Sequence, residues 1–368
     1  MKPGRVLRFA ATAFAVGAFI GLVSGLAFGG TASQSDNLSA KTSVSKSPAT
    51  EVVSSASTGE DASLEGPMTA ERAKAIGANE MGLIPVLMYH LIEPEETEWA
   101  RTPENFRSDI ALLEKEGFWP INVRDLASGN IDIPAGKSPV VITFDDSSMG
   151  QYHILEDGSL DPDCAVGIIQ AEVEAGRWAS RASFFPLIDV DVSSREIFGQ
   201  PELKREKLRS LVAWGYEVGS HTVTHLNLAK ASRQEAVKQL AQSQQILEDL
   251  IGGGYSVTSL ALPFGEYPAS DDLIASGQYQ DITYRYTAAV STAGELCPSP
   301  FSNRFRALHI PRIRGSTKYL TAALDTLKKN PELRYVSDGD PTTVSAPLDL
   351  DPTLGEMLDD LGRPVVRY

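Results

Sequence analysis

From Ile84 onward, short apolar runs alternate with stretches whose apolar residues recur every three or four positions. Pro85–Tyr89 (PVLMY) predicts a buried strand, and Thr102–Lys115 places Phe106, Ile110 and Leu113 on one helical face. Val140–Phe144 and Ala182–Leu187 read as further strands, Pro201–Trp214 as a helix and Glu217–Ser220 as a short strand. Ser232 followed by Glu235 forms a capping box that opens a long helix to about Ile251, and Gly252–Gly254 ends it. Ser259–Leu262, Thr287–Val290 and His309–Ile310 complete the strand candidates, and Ser316–Lys329 the helices. Such alternation predicts an α/β fold with a mostly parallel sheet, open or closed into a barrel. Functional residues of these folds gather at the carboxyl ends of the strands.

Outside that region the pattern fades. Residues 33–66 are rich in Ser, Thr, Ala and Asp with no apolar period, and cannot bury enough surface to offset their chain entropy. Residues 67–84 predict a short helix over Ala70–Ala78 with Thr69 as N-cap. Residues 331–368 carry several prolines and acids, and the expectation is a tail, either packed on the domain or loosely ordered. The division expected is therefore a leader over 1–32, a linker over 33–83, the domain that carries the chemistry over 84–330, and the tail.

The leader changes the picture of where the chain works. Lys2, Arg5 and Arg8 precede an apolar stretch from Phe9 to about Phe28, which addresses the chain for export. Gly30-Thr31-Ala32 offers small residues for signal cleavage, yet the run is also about the ~20 residues a membrane anchor needs. Either alternative puts the remainder outside the cytoplasm. The net charge of −15 becomes −18 once the three basic side chains of residues 1–32 are set aside. So acidic a body disfavours nucleic acid and anionic lipid as partners. Cys164 and Cys297 are the chain's two cysteines, which allows one disulfide or none.

Three short motifs carry the candidate chemistry. The strand Val140–Phe144 runs into two adjacent carboxylates, Asp145 and Asp146. His221 and His225, two of only five histidines, sit four residues apart, the spacing that points two side chains the same way on a helix or in a turn tightening into one. Two such imidazoles with one carboxylate make a facial set for a divalent metal, leaving the second carboxylate as a base acting on water. Pro263-Phe264-Gly265 then ends another apolar run in a tight turn. A glycoside hydrolase is disfavoured, because that chemistry needs carboxylates about 5–10 Å apart across a cleft and these are neighbours.

Together TFDD (143–146), HTVTH (221–225) and LPFG (262–265) resemble the polysaccharide deacetylases of the NodB homology type, carbohydrate esterase family four. PVLMYHLI (85–92) and the segment from Thr102 to Leu126 are similar to the subgroup with an early MYH motif, which includes poly-N-acetylglucosamine deacetylases. The resemblance spans roughly residues 84–330 and implies a distorted (β/α) barrel of about seven strands. It implies that Asp146, His221 and His225 bind a divalent ion, commonly Zn2+, and that Asp145 is the base deprotonating the water that attacks the acetyl carbonyl. It also implies that Pro263, Phe264 and Gly265 help to bind substrate.

The chain departs from the family pattern in three places. The arginine expected two residues before Pro263, which orients the base, is Ala261 here; Arg312 is the first substitute and Arg314 the second. The usual source of the general acid is missing; His90 of the MYH element takes that role, with His309 as the alternative. Ser147–Arg181 reads as a surface insertion beside the cleft. Trp119, Trp178 and Trp214 divide between core positions and sugar platforms, with core the better reading. The expected activity is metal-dependent removal of N-acetyl groups, or as the second alternative O-acetyl groups, from an extracellular glycan by a monomeric protein. Candidate polymers are poly-N-acetylglucosamine, peptidoglycan, a chitin-like chain and acetyl xylan. The competing expectation is a non-catalytic glycan-binding protein that keeps the fold.

Overall fold

The computed structural model describes residues 66–192 and 195–368. The expectations for residues 1–32, and for the linker up to residue 65, lie outside the described residues. The chain enters with helix α1 (Ala70–Ile76), strands β1 (Val86–Tyr89), β2 (Leu91–Ile92) and β3 (Ala100–Arg101), then α2 (Pro103–Lys115). Next come β4 (Phe118–Ile121), α3 (Val123–Ser128), β5 (Ser138–Asp145), α4 (Ala165–Glu174), β6 (Ser183–Phe185), α5 (Lys204–Trp214) and β7 (Glu217–Val218). The remainder is α6 (Arg233–Ile251), β8 (Ser259–Ala261), α7 (Asp272–Ala275), β9 (Ser276–Tyr279), β10 (Ile282–Arg285), β11 (Ala288–Val290), β12 (Ile313–Arg314), α8 (Thr317–Lys329), β13 (Val344–Ala346) and β14 (Val365–Arg367).

All eight residues of β5 are buried, the mark of a parallel strand covered on both faces. It pairs in parallel with β1 on one side, Val86 opposite Val141 and Tyr89 opposite Phe144. Its first half also pairs with β4 and its last three residues with β6, Asp145 opposite Phe185. The sheet runs β12-β1-β5-β6-β7, with β4 attached to β5. Beyond β7 a parallel bridge from Ser220 to Leu260 leads to the parallel pair β8–β11, and another bridge joins Val290 to Ile310, three residues before β12. Alternate residues of β5 serve two cores. Val140, Ile142 and Phe144 pack outward with Phe106 and Phe184, where the Phe144 and Phe184 rings stack at 4.9 Å. Val141 packs on the opposite face with Val86, Ala261 and Val290.

Local chemistry sets the element ends. The Thr102 hydroxyl accepts from Asn105 N at the start of α2, and Ser232 from Glu235 N at the start of α6. His309–Ile310 is not a strand: Ala307–His309 forms a 3-10 turn and Ile310 makes a single bridge, because Pro311 next to it has no N–H to donate. The segment Ser147–Arg181 is not chiefly an insertion. It contains α4, the crossover helix that the parallel strands β5 and β6 require, packed beside α2.

The last residues of the stretch expected to be linker fold onto the domain. Thr69 caps α1 as expected, and Asn79 bridges Val336. Glu80, buried, accepts hydrogen bonds from Ser345 N and the Tyr335 hydroxyl. The tail is packed: β13 and β14 pair in parallel, and Tyr335, Val344, Ala346 and Leu354 join the inner core. Cys164 and Cys297 are both buried and unpaired. Among the described residues no helix is long and apolar enough to cross a membrane.

Candidate active site

Asp145 is the last residue of β5, and the chain turns sharply beyond it. Asp146 and Ser147 have φ of 69° and 45°, in the left-handed region that non-glycine residues avoid. The same strain recurs at Thr222 (64°), His225 (58°) and Phe264 (62°), beyond β7 and β8. Each such residue costs about 1–3 kcal/mol, and clustering of this kind marks functional positions. Ser147 is fixed on both sides, its hydroxyl accepting from Leu187 N and donating to the Arg195 carbonyl.

His221 and His225 lie in a loop rather than on a helix. The left-handed residues Thr222 and His225 fold the loop so that the rings stand 4.8 Å apart at 67°. Their Nε2 atoms lie 3.4 and 3.6 Å from Asp146 Oδ1. That oxygen is buried and has no hydrogen-bond partner. His221 Nδ1 is 2.8 Å from the Ala261 carbonyl, which fixes its proton there and turns the Nε2 lone pair toward Asp146. One ligand atom from each of the three residues falls within 4.8 Å of the others. An orphaned carboxylate oxygen between two imidazole nitrogens fits a divalent cation.

The electrostatics agree with that fit. Burial pushes the Asp146 carboxyl up, but the surrounding imidazoles, His221 foremost, outweigh it and hold it well below the carboxylate range. Burial and the neighbouring His221 push His225 down to about 4, so this ring is neutral and free to donate its lone pair. For His221, burial pulls down while Asp146 and Asp145 pull up and prevail. The field that favours a proton there favours a metal ion equally.

Asp145 is held differently. Arg312 Nη1 and Nη2 each donate at 2.7 Å to its two carboxylate oxygens, and both residues are almost fully buried. Arg312 is itself fixed by Thr143 Oγ1 at 3.0 Å and the Ser291 carbonyl at 2.8 Å. Burial pushes the Asp145 carboxyl up, and Arg312 more than reverses it, so the group stays ionised. Arg314, the second substitute, does not reach Asp145; it pairs with Glu98 at the rim.

These groups line one cavity of about 730 Å3. His90 faces it, its ring edge-on to Trp99 at 4.9 Å. Burial pushes the His90 imidazole down, and the carboxylates of Asp145 and Asp146 pull it back only in part. His309 does not line it; it pairs with Asp271 at 2.7 Å and stacks on Tyr267. Phe264 and Gly265 line the cavity, whereas Pro263 is buried behind it. Gly265 has a φ of 67°, and a side chain there would collide with Thr292. Sequence reasoning missed Arg195, whose Nη1 is 3.4 Å from Asp146 Oδ2, and Trp99 and Tyr319 on the rim. No motif announces these three. Trp119, Trp178 and Trp214 lie away from the cavity.

Residues 175–282 match the family model described as polysaccharide deacetylase. The match takes in His221, His225 and the Pro263–Gly265 turn, and leaves His90, Asp145, Asp146 and Arg312 outside it. Bacillus subtilis YxkH, classed with the polysaccharide deacetylases, is 21% identical over 189 residues, which are 50% of this chain and 57% of YxkH. The chain thus spans little more than half of that relative's length. Among solved structures, the polysaccharide deacetylase BC0361 of Bacillus cereus is 21% identical, with 66% of this chain and 69% of that chain covered and a TM-score of 0.49. IcaB of Ammonifex degensii is 16% identical, with 66% and 96% covered and a TM-score of 0.49.

Proposed function

We propose that the protein is a metal-dependent deacetylase that hydrolyses N-acetyl groups, with O-acetyl groups as the second alternative, of a polysaccharide outside the cytoplasm. The observation that carries this reading is the pairing of two different carboxylates at one strand end. Asp145 is ionised and clamped by Arg312, while Asp146 presents an unpartnered oxygen to His221 and His225. Asp146, His221 and His225 would hold the ion, taken as Zn2+. Such an ion supplies Lewis acidity, polarising the acetyl carbonyl and acidifying water beside it.

The chain's own groups supply the rest. Asp145 accepts the proton of the attacking water; each carboxylate oxygen has a second lone pair free of Arg312. Arg312 keeps that carboxylate ionised and in one orientation. His90, on the cavity wall, relays to the leaving nitrogen the proton that Asp145 takes from water as the C–N bond breaks, so both groups return to their resting state. The products are acetate and a free amine.

The arginine absent at Ala261 is supplied by Arg312, which removes the main support for a non-catalytic glycan-binding protein. The position of His90 on the cavity supports the subgroup with the early MYH motif. The parallel bridges beyond β7 and β11 support a distorted barrel of about seven strands. Substrates within this reading are poly-N-acetylglucosamine, peptidoglycan, chitin-like chains and acetyl xylan, and the protein acts as a monomer, secreted or tethered by its N-terminal segment.

The test measures acetate release from a panel of these polymers by the metal-loaded protein, with and without chelator. Release that chelator abolishes is expected. No release from any polymer at full metal occupancy would overturn the assignment.

A further inference from the structure

Of the four exposed large aromatic side chains among the described residues, three line the one cavity that holds Asp145 and Asp146. Trp99 and Tyr319 are each 44% exposed and Phe264 60%. An exposed tryptophan costs hydrophobic free energy, and a cluster around one cleft marks a binding surface.

Trp99 is held rigidly. Its carbonyl accepts from Leu91 N at 3.0 Å, and the Thr97 hydroxyl accepts from the Trp99 and Ala100 amides. Arg101, two residues on, is buried and donates to both oxygens of Asp109 at 2.6 and 2.8 Å, anchoring the loop to α2. The Arg314 guanidinium sits 4.1 Å from the Trp99 ring centroid and donates to Glu98 at 2.8 Å. The backbone that carries the ring is thus pinned, and the guanidinium stacks over one face of the ring with the Glu98 carboxylate beside it.

A flat apolar face bordered by hydrogen-bonding groups is complementary to a pyranose ring, which has a C–H face and a rim of hydroxyls. Placement gives the direction of the chain. Trp99 touches His90, with centroids 4.9 Å apart, and Phe264 touches His225, with centroids 4.5 Å apart. The two aromatics thus border the cavity beside different histidines, Trp99 next to the proposed proton donor and Phe264 next to a candidate metal ligand.

We propose that Trp99, braced by Arg314 and flanked by Tyr319, is the platform for the sugar unit next to the one being deacetylated, so that the cleft takes internal units of a glycan chain. This rests on the deacetylase reading for its substrate class, and its test does not depend on turnover. Metal-free protein is titrated calorimetrically with N-acetylglucosamine oligomers of two to six units, β-1,4- and β-1,6-linked. Trp99→Ala is expected to weaken hexamer binding about tenfold and disaccharide binding much less, with Trp99→Phe recovering part of the loss. In turnover the loss should appear in KM and grow with oligomer length. Equal hexamer affinity of Trp99→Ala and wild type would overturn the platform, as would failure of wild type to bind any oligomer. Trp99-dependent binding without acetate release would uphold the platform and overturn the deacetylase instead.

Discussion

Arg312 grips both carboxylate oxygens of Asp145 at 2.7 Å across 167 residues of sequence, and both side chains are almost fully buried at the wall of the cavity. Removing the guanidinium leaves a buried, unpaired carboxylate. Arg312→Ala is expected to cost about 3–5 kcal/mol of stability, read as a lowered Tm or denaturant midpoint. Arg312→Lys keeps the charge but loses the two-point hold, and kcat should fall at least ~10-fold while the protein stays folded. A fully active lysine variant would show that the orientation of Asp145 is immaterial.

Asp145→Asn is expected to abolish acetate release while metal content, measured by atomic emission on the dialysed protein, stays near wild type. Loss of the metal with that substitution would mean the two aspartates have their roles exchanged.

His90→Ala should lower kcat by ~10²-fold or more, the lower end for general acid catalysis. His309→Ala should not, because His309 is engaged with Asp271 and Tyr267 away from the cavity. An unaffected His90 variant would move proton delivery to water.

Metal binding should stabilise the fold. At a free zinc concentration a hundred times Kd, one site on the native state adds ~2.7 kcal/mol, visible as a raised Tm. His221→Ala should remove most of that gain, and a gain that survived it would place the ion elsewhere.

Glu80 gives a pH dependence of stability far from the chemistry. Burial and the neighbouring Asp338 push its carboxyl from the usual 4.5 up to about 8. Between those values the folded state holds a proton that the unfolded chain has released. The stabilisation is therefore complete below about 4.5 and is lost as pH rises toward 8. Glu80→Gln should flatten the stability profile in that window, by up to ~1.4 kcal/mol per pH unit for one proton. An unchanged slope would show that Glu80 is ionised throughout.

The strands and helices that sequence reveals are those with strong periodicity or explicit end signals, such as β5 with its unbroken apolar run and α6 with Ser232 at its head. The weaker elements follow from tertiary pairing. β4 contains Pro120 and forms only because β5 lies beside it, and β13 and β14 acquire their partners from each other. At the site, the four residues with motif support converge as expected, and so does Arg312. Of the two settings expected for His221 and His225, the helix does not occur; a turn built on left-handed residues brings them together. Arg195 and Trp99 have no motif, because what makes them part of the cavity is where loops arrive in space rather than what precedes or follows them in the chain.

The order of the parts along the chain has a consequence for maturation. All three candidate metal ligands lie between Asp146 and His225, whereas the clamp on the base arrives with Arg312, one residue before the strand that pairs with β1. On the deacetylase reading, the ligand side chains are thus complete in the sequence long before the base acquires its clamp. An oriented Asp145 has to await the arrival of β12 beside β1, the contact that brings Arg312 into the sheet.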